Sequence, residues 1–442
     1  MEVLRKKALQ FLEDNLLLPE QFDLEKTVKA FQSEMARGLT SRGSSLPMFP
    51  SFIEEKAGSV PQDVPVAVID AGGTNFRTAL VTFPKHGDPV IEDFRSFGMP
   101  GVEREVSSAE FFRLVADYAE PVIRRSEHLG FCFSYPMIQE SAHDGVVKNW
   151  TKEVKAPEVI GRPVAQGLRR ELKDRGLTLG ENLVLLNDTV ATLLAGKVAR
   201  GRREETASDY IGFIFGTGQN CAYLEQNDKI SKVSGLNPGR RQVINMESAN
   251  FSLAPRGPLD EAFINSTENP ALNRFEKIAS GAYLGPLAGY VLKCPAAASV
   301  FSSSAARALE KISGLKTIDV DNFLRDPLDR TNPGVNPLGA CFSTDEDRVA
   351  AWTVVDALLE RAAKAVAVNL SAVVLWGGHG EDPTRPVRLC VDGSTFYKLK
   401  GFRSRVEYYL KQYLLDQKGR YYEIVQVENA PLLGAAVAGL TG

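Results

Sequence analysis

Cysteine and histidine are scarce in this chain of 442 residues, and neither residue type forms a recognisable pattern. The five cysteines are never spaced as Cys-x-x-Cys, and the four histidines are scattered along the chain. The sequence therefore predicts neither a disulfide framework nor a zinc site. This cysteine usage is typical of reduced thiols, so we expect a cytoplasmic protein.

Long apolar runs and an excess of basic residues are also missing. Residues 1–13 alternate charged and apolar side chains, without the continuous apolar core of a signal peptide, and no segment has the length and apolarity to span a bilayer. The formal net charge is −3, whereas nucleic acid or an anionic membrane surface would favour a basic face. We therefore expect neither of these partners. The length of the chain favours two globular domains.

Residues 64–83 contain the most informative pattern in the chain. An apolar run at 66–69 stops at the carboxylate of Asp70, and a glycine-containing turn follows. Glycines at a turn let backbone N–H groups approach an anion. Residues 76–81 are β-branched and aromatic, so a second strand follows the glycines, where a Walker loop or a Rossmann turn would open a helix. The turn and the donors beside it are Gly72, Gly73, Thr74, Asn75 and Arg77.

A second strand–glycine–strand pattern occupies residues 210–225, with Gly216, Thr217 and Gly218 at its turn. One such pattern by itself is equally consistent with an ordinary tight hairpin, because glycine motifs have many false positives. Two of them, one in each half of the chain, favour a duplicated fold with a phosphate-binding hairpin on each side of a cleft.

Asn187 and Asp188 lie between an apolar strand predicted at 183–186 and an amphipathic helix predicted at 189–199. The simplest interpretation is a helix N-cap, a position that Asn and Asp favour. A catalytic role is compatible with it, because a carboxylate beside a helix N-terminus stays ionised and faces the crevice where α/β sheets bind ligands. A phosphoryl-transfer enzyme needs its base at such a place.

Four weaker signals each have a purely structural interpretation when taken alone. Ser134 ends a strand ahead of Pro136, and residues 149–152 form a polar loop around one tryptophan. Glu247 and Glu276 are single carboxylates, most of which lie on solvated faces.

Taken together and in order, these motifs resemble the hexokinase family of the actin-like ATPase superfamily over nearly the whole chain. The resemblance implies an α/β fold with two ribonuclease H-like (actin-like) domains, each with a mixed sheet flanked by helices, and an active-site cleft between them. We expect a small domain at 62–187 plus 431–442 and a large domain at 1–61 plus 188–430. The matching segments are 44–50, 70–77, 133–136, 149–152, 187–190, 216–220, 244–247, 275–277, 280–285 and 391–394.

The resemblance implies ATP-dependent phosphorylation of a hexose to hexose 6-phosphate, with D-glucose as the expected substrate and mannose or fructose as alternatives. It assigns the general base to Asp188, with Lys152 and Arg77 as further catalytic residues. The expected sugar shell is Ser134, Thr151, Lys152, Asn187, Asp188, Asn220, Glu247 and Glu276. ATP would contact Asp70, Gly72, Gly73, Thr74, Asn75, Arg77, Gly216, Thr217 and Gly218, with Asp392, Gly393 and Ser394 near the adenosine. Mg²⁺ would bridge the phosphates, and Asp70 would reach it through water.

The chain departs from the family pattern at three places. Glu247 is followed by Ser248 and Ala249 instead of Trp-Gly, Pro286 replaces an acidic residue, and residues 429–433 replace a late Gly-Ser-Gly-Lys run. The last departure affects the adenosine side of the site.

Three alternatives to a hexokinase stay open, and the sequence leaves the oligomeric state open as well. A ROK-type sugar kinase would carry a Cys/His zinc signature, which this sequence lacks. An actin- or chaperone-like ATP switch would bind no sugar, so it would not explain the residues of the predicted sugar shell. A catalytically weak, hexokinase-like sugar sensor would not need the intact Asp188 and Arg77.

Overall fold

A computed structural model describes residues 2–40, 43–55, 60–150, 154–179, 182–198 and 207–442. Thr151 and Lys152, two residues of the expected site, lie outside this range. The strands are β1 Phe49–Glu54, β2 Pro65–Gly72, β3 Asn75–Thr82, β4 Val90–Gly98, β5 Leu129–Phe133, β6 Met137–Ser141, β7 Asp144–Val147, β8 Leu183–Leu186, β9 Asp209–Phe215, β10 Gln219–Gln226, β11 Arg241–Asn245, β12 Val387–Asp392 and β13 Tyr422–Val425.

The helices cover both ends of the chain and most of its last third. They are α1 Glu2–Asp14, α2 Leu24–Thr40, α3 Ser108–Ile123, α4 Val164–Asp174, α5 Asp188–Lys197, α6 Pro258–Ser266, α7 Leu284–Lys293, α8 Ser303–Glu310, α9 Thr317–Arg325, α10 Asp345–Gly377, α11 Ser394–Lys398, α12 Phe402–Leu410 and α13 Ala430–Thr441. In the part of the chain that the structure describes, no helix has the length and apolar character needed to cross a membrane.

Two mixed sheets have the same internal order. One has the order β4-β3-β2-β5-β8, and the other has β11-β10-β9-β12-β13 with β1 added beside β11. In each sheet the first hairpin is antiparallel and the later strands run parallel to its first strand. The duplicated α/β fold expected from the two glycine hairpins is confirmed.

The two sheets meet around α5 and α13, which share a core with β2, β10 and β11. Close packing here depends on glycine. A Cβ added at Gly434 of α13 would lie 1.8 Å from the backbone oxygen of Ala191 in α5, and one added at Gly130 of β5 would lie 1.8 Å from the oxygen of Ala435. A second core lies between the five-stranded sheet and helices α3 and α4, and the largest surrounds α10.

Candidate active site

The first glycine turn joins β2 to β3. Gly72 pairs with Asn75, and Gly73 has a φ of +62°, which glycine adopts without strain. Asp70 and Arg77 face each other across the hairpin, and Arg77 Nη1 donates to Asp70 Oδ2 at 3.0 Å. Burial raises the pKa of Asp70, and the guanidinium of Arg77 opposes that rise. The hairpin therefore places a buried carboxylate directly behind a turn rich in backbone donors.

The chain after β5 packs against this turn. Ser134 N–H donates to Ala71 O at 3.1 Å, and the hydroxyl of Tyr135 donates to the carbonyl oxygen of Gly73. A Cβ added at Gly72 would lie 3.6 Å from Ser134 Oγ, so Ser134 is beside the first glycine turn. The ring of Trp150 stacks edge-on against Tyr135 at 5.0 Å, which is the packing role expected for a lone tryptophan in a polar loop.

Asn187 and Asp188 occupy the start of α5, at the carboxyl end of β8. Asn187 is the N-cap, because its side chain accepts from Thr189 N–H at 2.9 Å. Asp188 lies in the first turn, and its negative charge contributes to raising the pKa values of Asp70, Glu247 and Asp392. Asp188 is therefore close enough to influence Asp70 of the first hairpin, Glu247, and Asp392 at the end of β12.

Glu247 is held by a chain of side-chain amides. Asn245 Nδ2 donates to Glu247 Oε1 at 2.9 Å, and Asn220 Nδ2 donates to Asn245 Oδ1 at 2.7 Å. Asn220 Oδ1 accepts from the backbone N–H groups of Cys221 and Ser248. Burial raises the pKa of Glu247, whose backbone has the left-handed φ of +54° that occurs at functional sites. Asn245 was not predicted as a site residue, because its contact with Asn220, 25 positions away in the chain, depends on the pairing of β10 with β11.

Glu276 lies on a short 3-10 turn, Glu276–Ile278, and faces the second glycine turn. Its Oε2 accepts from Gln219 N–H at 2.9 Å. Burial raises the pKa of Glu276 to about 7, and the charge of Glu247 adds to that shift. Two carboxylates of the expected sugar shell are therefore close enough to influence each other.

The residues predicted near the adenosine pack against the same turn. Asp392 ends β12 and accepts from Gly393 N–H at 2.8 Å through its side chain. Gly393 has a φ of +126°, and a Cβ there would lie 2.2 Å from Phe215 O, so only glycine fits. Thr395 Oγ1 donates to Gly216 O at 2.9 Å. The segment after β12 thus forms one wall of the second hairpin.

Two departures from the family pattern are accommodated locally. Ser248 is fully buried, and its hydroxyl accepts from Asn369 Nδ2 of α10 at 2.9 Å. A polar contact to α10 therefore stands where the family has a tryptophan. Pro286 lies in the first turn of α7, where a helix does not require its N–H.

A cleft of about 410 Å³ lies between the two sheets. This volume is within the range of small-molecule sites. Asn149 and Asn187 line it from one side, and Asn245, Glu247 and Asn250 line it from the other. Polar side chains therefore face the cleft from both sides, next to apolar residues such as Phe49 and Leu272.

The residues between the hairpins fit a magnesium–nucleotide complex. The described residues contain no group of three or more His, Cys, Asp or Glu side chains that could enclose a metal. Mg²⁺ in nucleotide sites keeps several waters and uses one or two carboxylates with the substrate phosphates, so a complete protein cage is not needed. Asp70 supplies a buried carboxylate, and the turns at Gly72 and Gly218 would offer backbone N–H groups to phosphate oxygens.

Fold and site together define an α/β protein of the actin-like type, with two mixed sheets and a cleft between them. Two hexokinase family models match residues 9–198 and 210–441. Hexokinase-7 of Oryza sativa subsp. japonica is 28% identical over 435 residues, covering 94% of this chain and 92% of that protein. Hexokinase-2 of Schizosaccharomyces pombe is 27% identical over 459 residues, covering 100% and 98%.

A solved hexokinase of Schistosoma mansoni, complexed with glucose, has the same fold. Its TM-score is 0.77 at 22% identity, and the match covers 99% of this chain and all of that one. The chain belongs to the hexokinase family. It is a kinase that phosphorylates a hexose with ATP and Mg²⁺.

Proposed function

We propose that this hexokinase transfers the γ-phosphoryl group of ATP to the 6-hydroxyl of D-glucose, with Asp188 as the general base. The observation that supports this most strongly is the place of Asp188. It lies in the first turn of α5, where its charge acts on Asp70 of the first hairpin and on Glu247 of the sugar shell. A base at that point would lie between the proposed nucleotide and sugar sites.

In the proposed reaction Asp188 accepts the proton of the 6-hydroxyl as that oxygen forms a bond to the γ-phosphorus. The bond between the γ-phosphorus and the bridging oxygen breaks, and ADP leaves. When bound, Mg²⁺ would supply positive charge that offsets the charge of the phosphates. Since phosphoryl transfer depends mainly on positioning and charge stabilisation, an ordinary ionised aspartate suffices. Arg77 and Lys152 would supply positive charge beside the phosphates.

The remaining roles divide between the sugar and the nucleotide. For the sugar shell we propose Ser134, Thr151, Lys152, Asn187, Asn220, Glu247 and Glu276. Carboxylates and amides are the acceptors that a ring of hydroxyl groups needs, and a hydrogen bond to a charged group contributes about 1.5–3 kcal/mol. For ATP we propose the two glycine turns and residues 392–394, with Asp70 bound to Mg²⁺ through water.

We also propose that the cleft closes on the sugar. The expected sugar contacts come from both sheets, with Ser134 and Asn187 on one side and Asn220, Glu247 and Glu276 on the other. A hexose that bridges them would draw the two halves together and exclude water that would otherwise hydrolyse ATP. The halves would be the small domain at 62–187 plus 431–442 and the large domain at 1–61 plus 188–430.

The location proposed for the enzyme is the cytoplasm. Cys132, Cys221, Cys341 and Cys390 are buried thiols that form no disulfide. Cysteines that do not form disulfides are typical of proteins in a reducing compartment.

The test is a coupled assay with ATP and glucose, mannose or fructose, applied to the wild type and to Asp188→Ala. Loss of a general base lowers kcat by about 10²- to 10⁴-fold, and we expect the affinity for glucose to stay within about threefold. Asp319→Ala, which changes a first-turn aspartate of α9, is the control and should keep full activity.

Less than a tenfold loss of kcat in Asp188→Ala would contradict the assignment of the base. Hydrolysis of ATP at the same rate with and without sugar would favour an ATP switch. Sugar binding by the wild type without any turnover would favour a sugar sensor.

A further inference from the structure

The amine of Lys232 is bound to three backbone oxygens. The residue lies in the loop between β10 and β11. Its Nζ donates to Gly38 O at 2.8 Å, and to Pro47 O and Met48 O at 2.6 Å each. An ammonium group has three N–H donors and no acceptor, so these three oxygens match it completely. The same nitrogen lies 5.9 Å from the centre of the Phe49 ring, which is a cation–π contact.

The segment bound by Lys232 forms part of the cleft. Pro47 and Phe49 line the cleft, as Asn245 and Glu247 do. In β1, Phe49 lies opposite Asn245 of β11. Because the amide of Asn245 donates to Glu247, this wall is next to the residues that orient a carboxylate proposed for the sugar. The position of the wall therefore affects the shape of the cleft beside Glu247.

The backbone of this segment is strained at Met48, which has a left-handed φ of +51°. A residue other than glycine keeps such a conformation only where neighbouring contacts hold it. The carbonyl oxygens of Pro47 and of Met48 itself are two of the three that Lys232 binds. The start of the segment is held separately, since Glu34 Oε2 accepts from Ser45 N–H at 2.6 Å. Removal of the amine would release the segment at its strained residue.

The charge of Lys232 depends on its surroundings. Burial lowers the pKa of Lys232 to about 8. The segment 44–49 has no titratable side chain, and the charged residues in the last two turns of α2, Glu34 and Arg37, form an ion pair. Loss of the proton would leave two N–H donors for three oxygens and would remove the charge from the Phe49 ring. The loop of Lys232 also carries Asp228, Lys229 and Arg240, of which the last two pair with Glu225 and Glu54.

We propose that Lys232 is a positioning residue of the sugar site, whose ammonium group fixes the wall at Pro47 and Phe49 in the shape that binds the hexose. The proposal rests on the sugar-binding role given to the cleft above. The amine acts through the wall, without contact to either substrate. The affinity for the sugar should therefore depend on a proton that the sugar does not touch.

The experiment measures the Kd for glucose by calorimetry, without nucleotide, between about pH 7.5 and 9.5. For the wild type the Kd should rise by about 5- to 50-fold as the pH passes through about 8, because the neutral amine holds the segment less firmly. Lys232→Met keeps an unbranched side chain and removes the donors. Its Kd should be close to the high-pH value of the wild type and should change by less than about twofold over the range.

Lys364→Met is the matched control. Lys364 of α10 is also a partly buried lysine whose pKa is lowered by burial. It donates to Pro19 O at 2.8 Å and lies 5.6 Å from the centre of the Tyr409 ring, away from the cleft. Its replacement should keep the Kd for glucose within about twofold of the wild type, with the same rise at high pH. Urea unfolding at both ends of the pH range shows that each protein is folded.

A wild-type Kd that does not rise through about pH 8 would overturn the proposal, and this measurement needs no variant. A rise that persists in Lys232→Met, or an equal loss of affinity in Lys364→Met, would overturn it as well.

Glucose phosphorylation is measured on the same wild-type preparation. Turnover without the expected pH dependence would contradict the role of Lys232 alone. Binding with that pH dependence but without turnover would contradict the proposed function alone, and failure to bind any hexose would contradict both.

Discussion

Replacing Asn245 by leucine should lower kcat/KM for the sugar and leave the KM for ATP nearly unchanged. Asn245 is only 8% exposed, and its amide is the link between Asn220 and Glu247. Leucine leaves one Glu247 oxygen without its donor at 2.9 Å and one Asn220 N–H without its acceptor at 2.7 Å. Glu247 would then lose its fixed orientation toward the cleft.

The size of the effect follows from these two contacts. Leaving a buried polar group without a partner costs about 1–3 kcal/mol, and water in the open cleft recovers part of this for each group. A net loss of about 1.5–3 kcal/mol corresponds to a decrease of about 10- to 150-fold in kcat/KM for the sugar. We expect the change mainly in the KM for the sugar, with the KM for ATP within about twofold at saturating sugar.

The assay is steady-state kinetics with glucose and ATP varied in turn, and Asn227→Leu is the matched control. Asn227 is 3% exposed, and it donates to Asn237 O and accepts from Gln242 Nε2 at the opposite end of β10. Its replacement should lower stability and leave the KM for the sugar unchanged. Sugar kinetics within twofold of the wild type in Asn245→Leu, or an equal KM effect in Asn227→Leu, would refute the reasoning.

Three other predictions concern stability and pH. Asp260 and Arg361 form a buried ion pair with two hydrogen bonds at 2.6 and 2.7 Å. Asp260→Leu should therefore lower the free energy of unfolding in urea by about 3–5 kcal/mol, because it leaves the Arg361 charge buried without this partner. The double variant with Arg361→Met should regain most of that stability. Because burial raises the pKa of Glu276 from 4.5 to about 7, kcat/KM for the sugar should rise with pH through about 7, and Glu276→Gln should lack this rise. The same shift contributes stability below 4.5 that is lost as the pH rises through about 7, because the folded state binds the proton more tightly. Gly434→Ala should lower the melting temperature, because the new Cβ would lie 1.8 Å from a backbone oxygen of α5. Gly98→Ala is the control and should leave the melting temperature unchanged, because the nearest atom to its Cβ would be 4.0 Å away.

Local sequence was sufficient for the two hairpins and for the start of α5. The glycines at 72–73 and 216–218, each between two runs of strand formers, predict turns whose geometry depends on neighbouring residues alone. The predicted strand at 183–186 is β8, and Asn187 caps α5 as its chemistry favours. The predicted helix begins one residue earlier than expected, at Asp188, and ends at Lys197.

The family could be inferred from the sequence because its motifs occur in order along the chain. Each motif alone permits a structural interpretation, and Trp150 does serve the packing role that its loop suggested. The roles proposed for Asp188 and the sugar shell stay predictions, and Thr151 and Lys152 lie outside the described residues.

The sequence by itself determined the hairpins, the capped helix and the family, because each depends on short-range pattern or on the order of motifs. Only the tertiary structure decided which side chains hold the site in place. Asn220 and Asn245 meet because β10 and β11 are paired in register, and Glu276 reaches Gln219 across 57 positions of the chain. No local pattern records such contacts, since side-chain direction and distance depend on strand register and on the packing of loops against the sheet.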